Sequence, residues 1–337
     1  MDATGHVVNT SLRQLEGPGS DARRAFASGR LIRLRRGFYV PTGVWLKARP
    51  DARFRMALEA HAWSNPSAVF CGETALFLRG IPTVKAPMTI DVATGSNGRL
   101  GLQPSTFAVR GGSEAASQAR HITPPPVRRR LRRALAAEDV DGYLAVPLAE
   151  ALTEVLASGK FARALTVADG VLRHDPDMPL LERPDLRDAL ARLPHRTQRA
   201  RAERVASLAR AGAESPGESV SRAIMHLYGF PEPVLQREHS DALGFVGRTD
   251  FAWDEAPEPV GEFDGWGKYF QSELTAGQDP QDIFRKEKRR ENRLLALGHP
   301  VLRWDWADLE QPLRLRAKLL EGGLRPTRGR VAVEKIS

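Results

Sequence analysis

Two stretches in the last third of the chain decide the fold: Gly247-Arg248-Thr249-Asp250-Phe251-Ala252-Trp253 and Pro259-Val260-Gly261-Glu262-Phe263-Asp264-Gly265. Each is short, largely apolar and bounded by turn residues, which predicts a strand; the first carries Asp250, the second Glu262 and Asp264. Working outward, Glu218 opens a helix that runs to Tyr228 and stops at Gly229. Val234-Leu235-Gln236 reads as a strand. Residues 281–297 read as a basic amphipathic helix stopped by Gly298, and Val301-Leu302-Arg303-Trp304 as a last strand. The predicted order is helix, three strands, helix, strand.

That order, with Asp250 late in the second strand and Glu262 in the third, resembles the PD-(D/E)XK nuclease superfamily. Neighbouring strands would bring the two acids side by side as hard oxygen ligands for Mg²⁺ or Mn²⁺. Such an ion lowers the pKa of a bound water and stabilises the charge of in-line attack on phosphate. Glu218 on the preceding helix is a third candidate ligand, and the Phe263 carbonyl another. The same acids have plainer uses. Asp250 and Glu262 would equally suit ion pairs with Arg248 or Arg289, and Glu218 is an acid favoured early in a helix by the backbone dipole.

Five elements in order, Glu218-x-x-x-Arg222, Thr249-Asp250-Phe251, Gly261 to Gly265, Lys288 to Asn292 and Gly298 to Trp304, narrow the resemblance to Vsr-like, very-short-patch-repair-type domains. The chain departs from the superfamily pattern at one position. Where the pattern has Lys two residues after the third-strand acid, Asp264 stands here. The missing amine would come from Lys268, or from Lys286 or Lys288 of the following helix, with Asp264 then a further ligand. If no amine reaches the acids, the domain binds nucleic acid without cutting it.

At the other end, residues 9–41 read as helix, helix, hairpin. Ser20 caps a helix over 21–27 that carries Arg23 and Arg24, and Gly29 stops it. Leu31-Ile32-Arg33-Leu34-Arg35 alternates apolar and basic residues, Arg36-Gly37 turns, and Phe38-Tyr39-Val40 returns. Two helices and a basic hairpin make a winged helix-turn-helix, with Arg23, Arg24, Arg33, Arg35 and Arg36 as candidate contacts to double-stranded DNA. The segment Arg30 to Pro41, with Gly72-Glu73-Thr74-Ala75-Leu76-Phe77-Leu78-Arg79-Gly80-Ile81-Pro82, resembles the AbiEi antitoxins of type IV toxin-antitoxin systems. That resemblance implies promoter binding and a cognate toxin protein as a partner. The two resemblances together suggest an actinobacterial-type protein.

Composition agrees with a multi-domain globular chain. Its 337 residues are 42% hydrophobic and 27% charged. The net charge of +9 divides as +6 over 1–53, +6 over 54–213 and −3 over 214–337, so the basic excess lies away from the carboxylates. Such a balance suits an acidic polymer as partner, and equally a charge that only keeps the chain soluble. A lone cysteine, Cys71, excludes a disulfide framework within the chain, and no His spacing suits zinc. Met1 to Thr10 lacks the pattern of a signal peptide, and no apolar run is long enough to span a membrane, so a cytoplasmic protein with no membrane partner is expected. The basic run Arg128 to Arg133 reads as a solvated face or linker, and residues 148–172 and 183–210 read as helical.

The expected fold class is therefore multi-domain α+β. A winged helix-turn-helix occupies 1–53, a mixed α/β region with a helical linker 54–213, a restriction-endonuclease-like domain 214–310, and a tail 311–337. Two functions are expected from these readings. One is a DNA-binding, metal-dependent endonuclease; the other is a non-enzymatic regulator or antitoxin with a degenerate nuclease fold.

Overall fold

A computed structural model describes residues 8–9, 19–132, 136–173, 180–181, 183–265 and 280–329. The chain is mixed α+β and divides into two compact units, 1–152 and 153–337. The boundaries expected at 53/54 and 213/214 fall inside these units. Among the described residues no helix is long and apolar enough to cross a membrane.

The N-terminal unit opens with β1 (Val8–Asn9), α1 (Gly19–Ala27), β2 (Leu31–Arg35) and β3 (Phe38–Pro41). Asn9 lies in a strand rather than a helix, and the first expected helix falls on residues outside those described. Helix α1 stops where Gly29 takes φ +82, and a side chain there would press on the Arg110 carbonyl at 2.7 Å. In β2, Ile32 and Leu34 are fully buried while Arg33 and Arg35 share the half-buried face, as period-two alternation requires. The following elements are α2 (Thr42–Lys47), α3 (Pro50–Ser64), α4 (Gly72–Leu78), β4 (Ile90–Thr94), β5 (Gly101–Gln103), β6 (Ala108–Val109), α5 (Glu114–Arg120), β7 (Val127–Leu131), β8 (Glu138–Val140) and β9 (Tyr143–Ala145).

One antiparallel sheet has the order β1-β3-β2-β6, with Ile32, Leu34, Phe38, Val40 and Trp45 in its core. A second has the order β4-β7-β5, with β4 and β7 parallel. The basic run expected to be a solvated face or linker is largely strand β7. Its Arg128 grips the buried Asp91 through two bonds of 2.8 Å, and Arg130 approaches the same carboxylate at 3.2 Å. The buried carboxylate takes up the charge that would otherwise keep this segment in water.

Helix α6 (Leu148–Ser158) contains the division between the units. The C-terminal unit continues with α7 (Phe161–Leu172), α8 (Arg183–Ala191), α9 (Arg196–Leu208), α10 (Pro216–Leu227), β10 (Val234–Asp241), β11 (Gly244–Ala252), β12 (Val260–Asp264), α11 (Pro280–Ala296), β13 (Val301–Asp305), α12 (Trp306–Glu310) and α13 (Pro312–Glu321). The sheet order is β10-β11-β12-β13, antiparallel up to β12 and parallel between β12 and β13. A parallel pair needs a crossover, and α11 lies in it.

Helix α10 joins the helices before it to this sheet, which is why the break expected near residue 214 lies within one unit. Arg222 of α10 holds the buried Asp169 of α7 at 2.7 Å, and Trp304 of β13 donates to Ser221 Oγ at 2.8 Å. Trp304 is 1% exposed and lies 5.1 Å from the Phe251 ring. Burying an aromatic side chain of this size stabilises the unit by about 2–3 kcal/mol.

Candidate active site and nucleic-acid interface

Strands β11 and β12 pair with Phe251 opposite Gly261 and Ala252 opposite Val260. Continuing that register sets Asp250 opposite Glu262. The Phe263 amide donates to Asp250 Oδ2 at 2.8 Å, so a backbone group of β12 positions the carboxylate. Asp250 is half-buried, and Glu262 is 3% exposed.

Glu262 is charge-compensated. Arg290 Nη2 of α11 donates to its Oε1 at 2.5 Å, and Arg303 Nη2 of β13 lies 2.8 Å from its Oε2. Both guanidiniums also hold Glu287, at 2.7 and 2.5 Å. Arg303 is 3.7 Å from Asp264. The Arg303 contact to Oε2 is close but off the hydrogen-bond line, so that oxygen is buried without a hydrogen-bond donor. Burial pushes the Glu262 carboxyl up, opposed by Arg290 and Arg303; the Arg290 hydrogen bond, against burial, holds Glu287 at about 2.

Glu218 is buried at the start of α10 and completes a reciprocal cap. Ser215 Oγ accepts from the Glu218 amide at 3.2 Å and donates to Glu218 Oε1 at 2.7 Å. Glu218 Oε2 accepts from the Glu214 amide at 2.8 Å and from Gln236 Nε2 at 3.0 Å. Burial raises its pKa, the cap opposes that, and the Asp250 charge adds to the rise. Glu218 therefore lies within electrostatic reach of Asp250 while serving the helix end.

The other expected residues divide. Lys288 is exposed on α11 and donates to Glu291 at 3.1 Å, so it is not brought to the acids. Lys268 lies outside the described residues. The ion pair expected at Arg248 or Arg289 is made instead by Arg290 and Arg303, while Arg248 holds Glu214 at 2.8 Å. Of the basic residues of α11, Arg290 and Arg293 are committed to carboxylates; Arg293 grips Asp241 at 2.5 and 2.7 Å. Among the described residues, no three His, Cys, Asp or Glu side chains are grouped to hold a metal ion.

The basic residues of α1 and the N-terminal hairpin also separate. Arg23, Arg24 and Arg36 are exposed. Arg33 lies over the Phe26 ring at 5.5 Å with its Nε buried. Arg35 turns to His61 of α3, with Nη1 2.7 Å from Nδ1.

Arg303 and His61 contact the candidate residues Glu262 and Arg35, and the sequence reading missed both. Their partners are remote in sequence; Arg303 stands within the Gly298 to Trp304 element without a role read for it, and His61 belongs to no motif. Strand alternation was the available signal for Arg303, since it shares the Glu262 register position. No protein-family model, no curated protein and no solved structure matches the chain.

Proposed function

We propose that this chain binds double-stranded DNA through its N-terminal unit and acts on phosphodiesters through a nuclease-type, PD-(D/E)XK-like C-terminal unit. The observation that carries this reading is the placement of Asp250 and Glu262 on the adjacent strands β11 and β12, in a segment ordered helix, three strands, helix, strand. The donor chemistry suits Mg²⁺ or Mn²⁺. Asp250 and the buried Glu262 Oε2, which faces Arg303 but accepts no hydrogen bond, are hard oxygens, and Glu218 lies within electrostatic reach. When bound, such an ion would activate water and offset charge on the phosphate. The chain's own part is to fix Asp250 through the Phe263 amide and to hold Glu262 in a buried place between Arg290 and Arg303. A cleavage assay on plasmid and linear duplex, with Mg²⁺ or Mn²⁺ against EDTA, tests this: metal-dependent nicking is expected, and its absence on every substrate overturns the reading.

A second reading has its own observation. Arg290 and Arg303 already neutralise Glu262, and Asp264 stands where the resemblance asks for Lys. This arrangement suits a winged-helix regulator of the AbiEi-like antitoxin kind, whose C-terminal unit binds without cutting and whose partner is a toxin protein. Operator binding with no cleavage would select it.

A further inference from the structure

We propose that Arg35, His61 and Arg129 form a binding site for a phosphoryl oxyanion in the N-terminal unit, apart from the carboxylates of the C-terminal unit and independent of the nuclease reading. A guanidinium only donates, so the 2.7 Å contact from Arg35 Nη1 makes His61 Nδ1 the acceptor. The neutral ring then carries its proton on Nε2, which is buried and has no partner. His61 itself is 1% exposed.

Arg129 reaches the same place from β7. Phe70 bridges Val92, and Val92 is registered against Arg129, so the three side chains share one face of the sheet. The Phe70 ring lies 6.1 Å from that of His61. Arg128 and Arg130 point to the opposite face, where Asp91 receives them. Arg129, between them, has a buried Nε without a hydrogen bond.

The charges acting on this cluster have one sign. His61 is held down to about 4 by burial, then by Arg35 and Arg129. Arg35 is lowered by burial and by Arg129. Among the described residues no carboxylate pairs with Arg35 or Arg129. Two half-buried guanidiniums and an unpaired imidazole N–H are costly unless an anion joins them. A phosphoryl group supplies the charge, and its several acceptor oxygens suit guanidinium forks. The source is either a nucleic-acid backbone or a free phosphate or nucleotide.

The test uses the full chain, with inorganic phosphate, adenosine monophosphate and a duplex oligonucleotide as probes at matched ionic strength. Thermal unfolding and the His61 imidazole resonances are followed. Phosphoryl binding is expected to raise Tm and to move the His61 pKa upward, since an anion favours the imidazolium. Arg129→Gln is expected to weaken binding by about tenfold, because one charge-assisted hydrogen bond is removed. Arg129→Lys, which keeps the charge but not the fork, is expected to fall between. A response to inorganic phosphate or the nucleotide identifies a free phosphoryl ligand; a response to duplex alone identifies the backbone. Asp250→Asn leaves the response intact, separating this site from the proposed nuclease. Unmoved His61 resonances with all three probes, or an undiminished response in folded Arg129→Gln, would overturn the proposal.

Discussion

Arg290 Nη2 lies 2.5 Å from Glu262 Oε1 and 2.7 Å from Glu287 Oε1, so one guanidinium bridges a buried strand acid and an acid of its own helix. Removing it leaves Glu262 with Arg303 alone in a largely desolvated place. Arg290→Ala is expected to destabilise the C-terminal unit by about 2–3 kcal/mol, less than a fully buried pair because Arg303 stays. Arg290→Lys should recover part of the loss. Urea unfolding followed by Trp fluorescence measures both, and an unchanged midpoint for Arg290→Ala would show the bridge to be dispensable.

Two glycines allow close approach around the candidate site. A side chain at Gly217 would meet the Phe263 ring at 1.9 Å, and one at Gly261 would meet Trp304 at 2.4 Å. The first contact presses on the ring of Phe263 in β12, whose amide holds Asp250. Gly217→Ala is therefore expected to cost about 1–3 kcal/mol by overpacking and to weaken divalent-ion binding in whatever folded protein remains. Calorimetry on the purified variant checks the first effect, and Mn²⁺ titration the second.

The same local patterns explain what the sequence made legible. Hairpin 31–41 and the strands around Asp250 and Glu262 follow from alternation and turn residues, so both lie where expected. The pairing of Glu262 with Arg290 and Arg303 was hidden because it depends on which face of α11 meets the sheet and on the β12–β13 register. Strand β7 was misread for a related reason. Three consecutive arginines look solvated until Asp91, distant in sequence, is seen to take two of them. The structural role of Glu218 was half legible. Ser215 and Glu218 have capping-box spacing, yet the contact from Gln236 is tertiary.

Two buried groups on α3 predict compensating pH effects. Glu59 has both carboxylate oxygens buried without partners; burial raises its pKa to about 7, with Arg55 opposing. The folded state then binds the proton more tightly, so Glu59 removes stability as pH rises from about 4.5 to 7. His61, held down to about 4, acts in reverse: protonation of the unfolded chain removes stability as pH falls from about 6.5 to 4. Each contribution is on the order of 3 kcal/mol, and the windows overlap. In the unliganded protein, stability between pH 5 and 6.5 should therefore change less than either group alone implies. Glu59→Gln should expose a stability that climbs with pH over this range. Denaturant titrations at several pH values check this, and equal slopes for wild type and variant would contradict the assignment.

Under the proposed duplex binding, salt dependence should separate exposed from packed arginines. Arg23 and Arg36 are exposed, whereas Arg33 lies over Phe26 and Arg35 against His61. Arg23→Ala with Arg36→Ala should reduce the slope of log K against log salt by about 2, near one unit for each phosphate no longer neutralised. Fluorescence anisotropy across a salt series reads the slope. No change would place the DNA-binding surface elsewhere.

The most direct measurement compares wild type and Asp250→Asn, pairing calorimetric Mn²⁺ titration with nicking of supercoiled DNA. Asp250 is fixed by the Phe263 amide of β12, so the substitution removes a charge from the carboxylate pair with little change in shape. The account predicts that wild type binds Mn²⁺ and nicks DNA, and that Asp250→Asn loses both while its duplex affinity stays within about twofold, because the N-terminal unit supplies the grip. Wild-type protein that binds duplex DNA but neither takes up Mn²⁺ nor nicks any substrate would contradict the central claim and leave the regulator reading in its place.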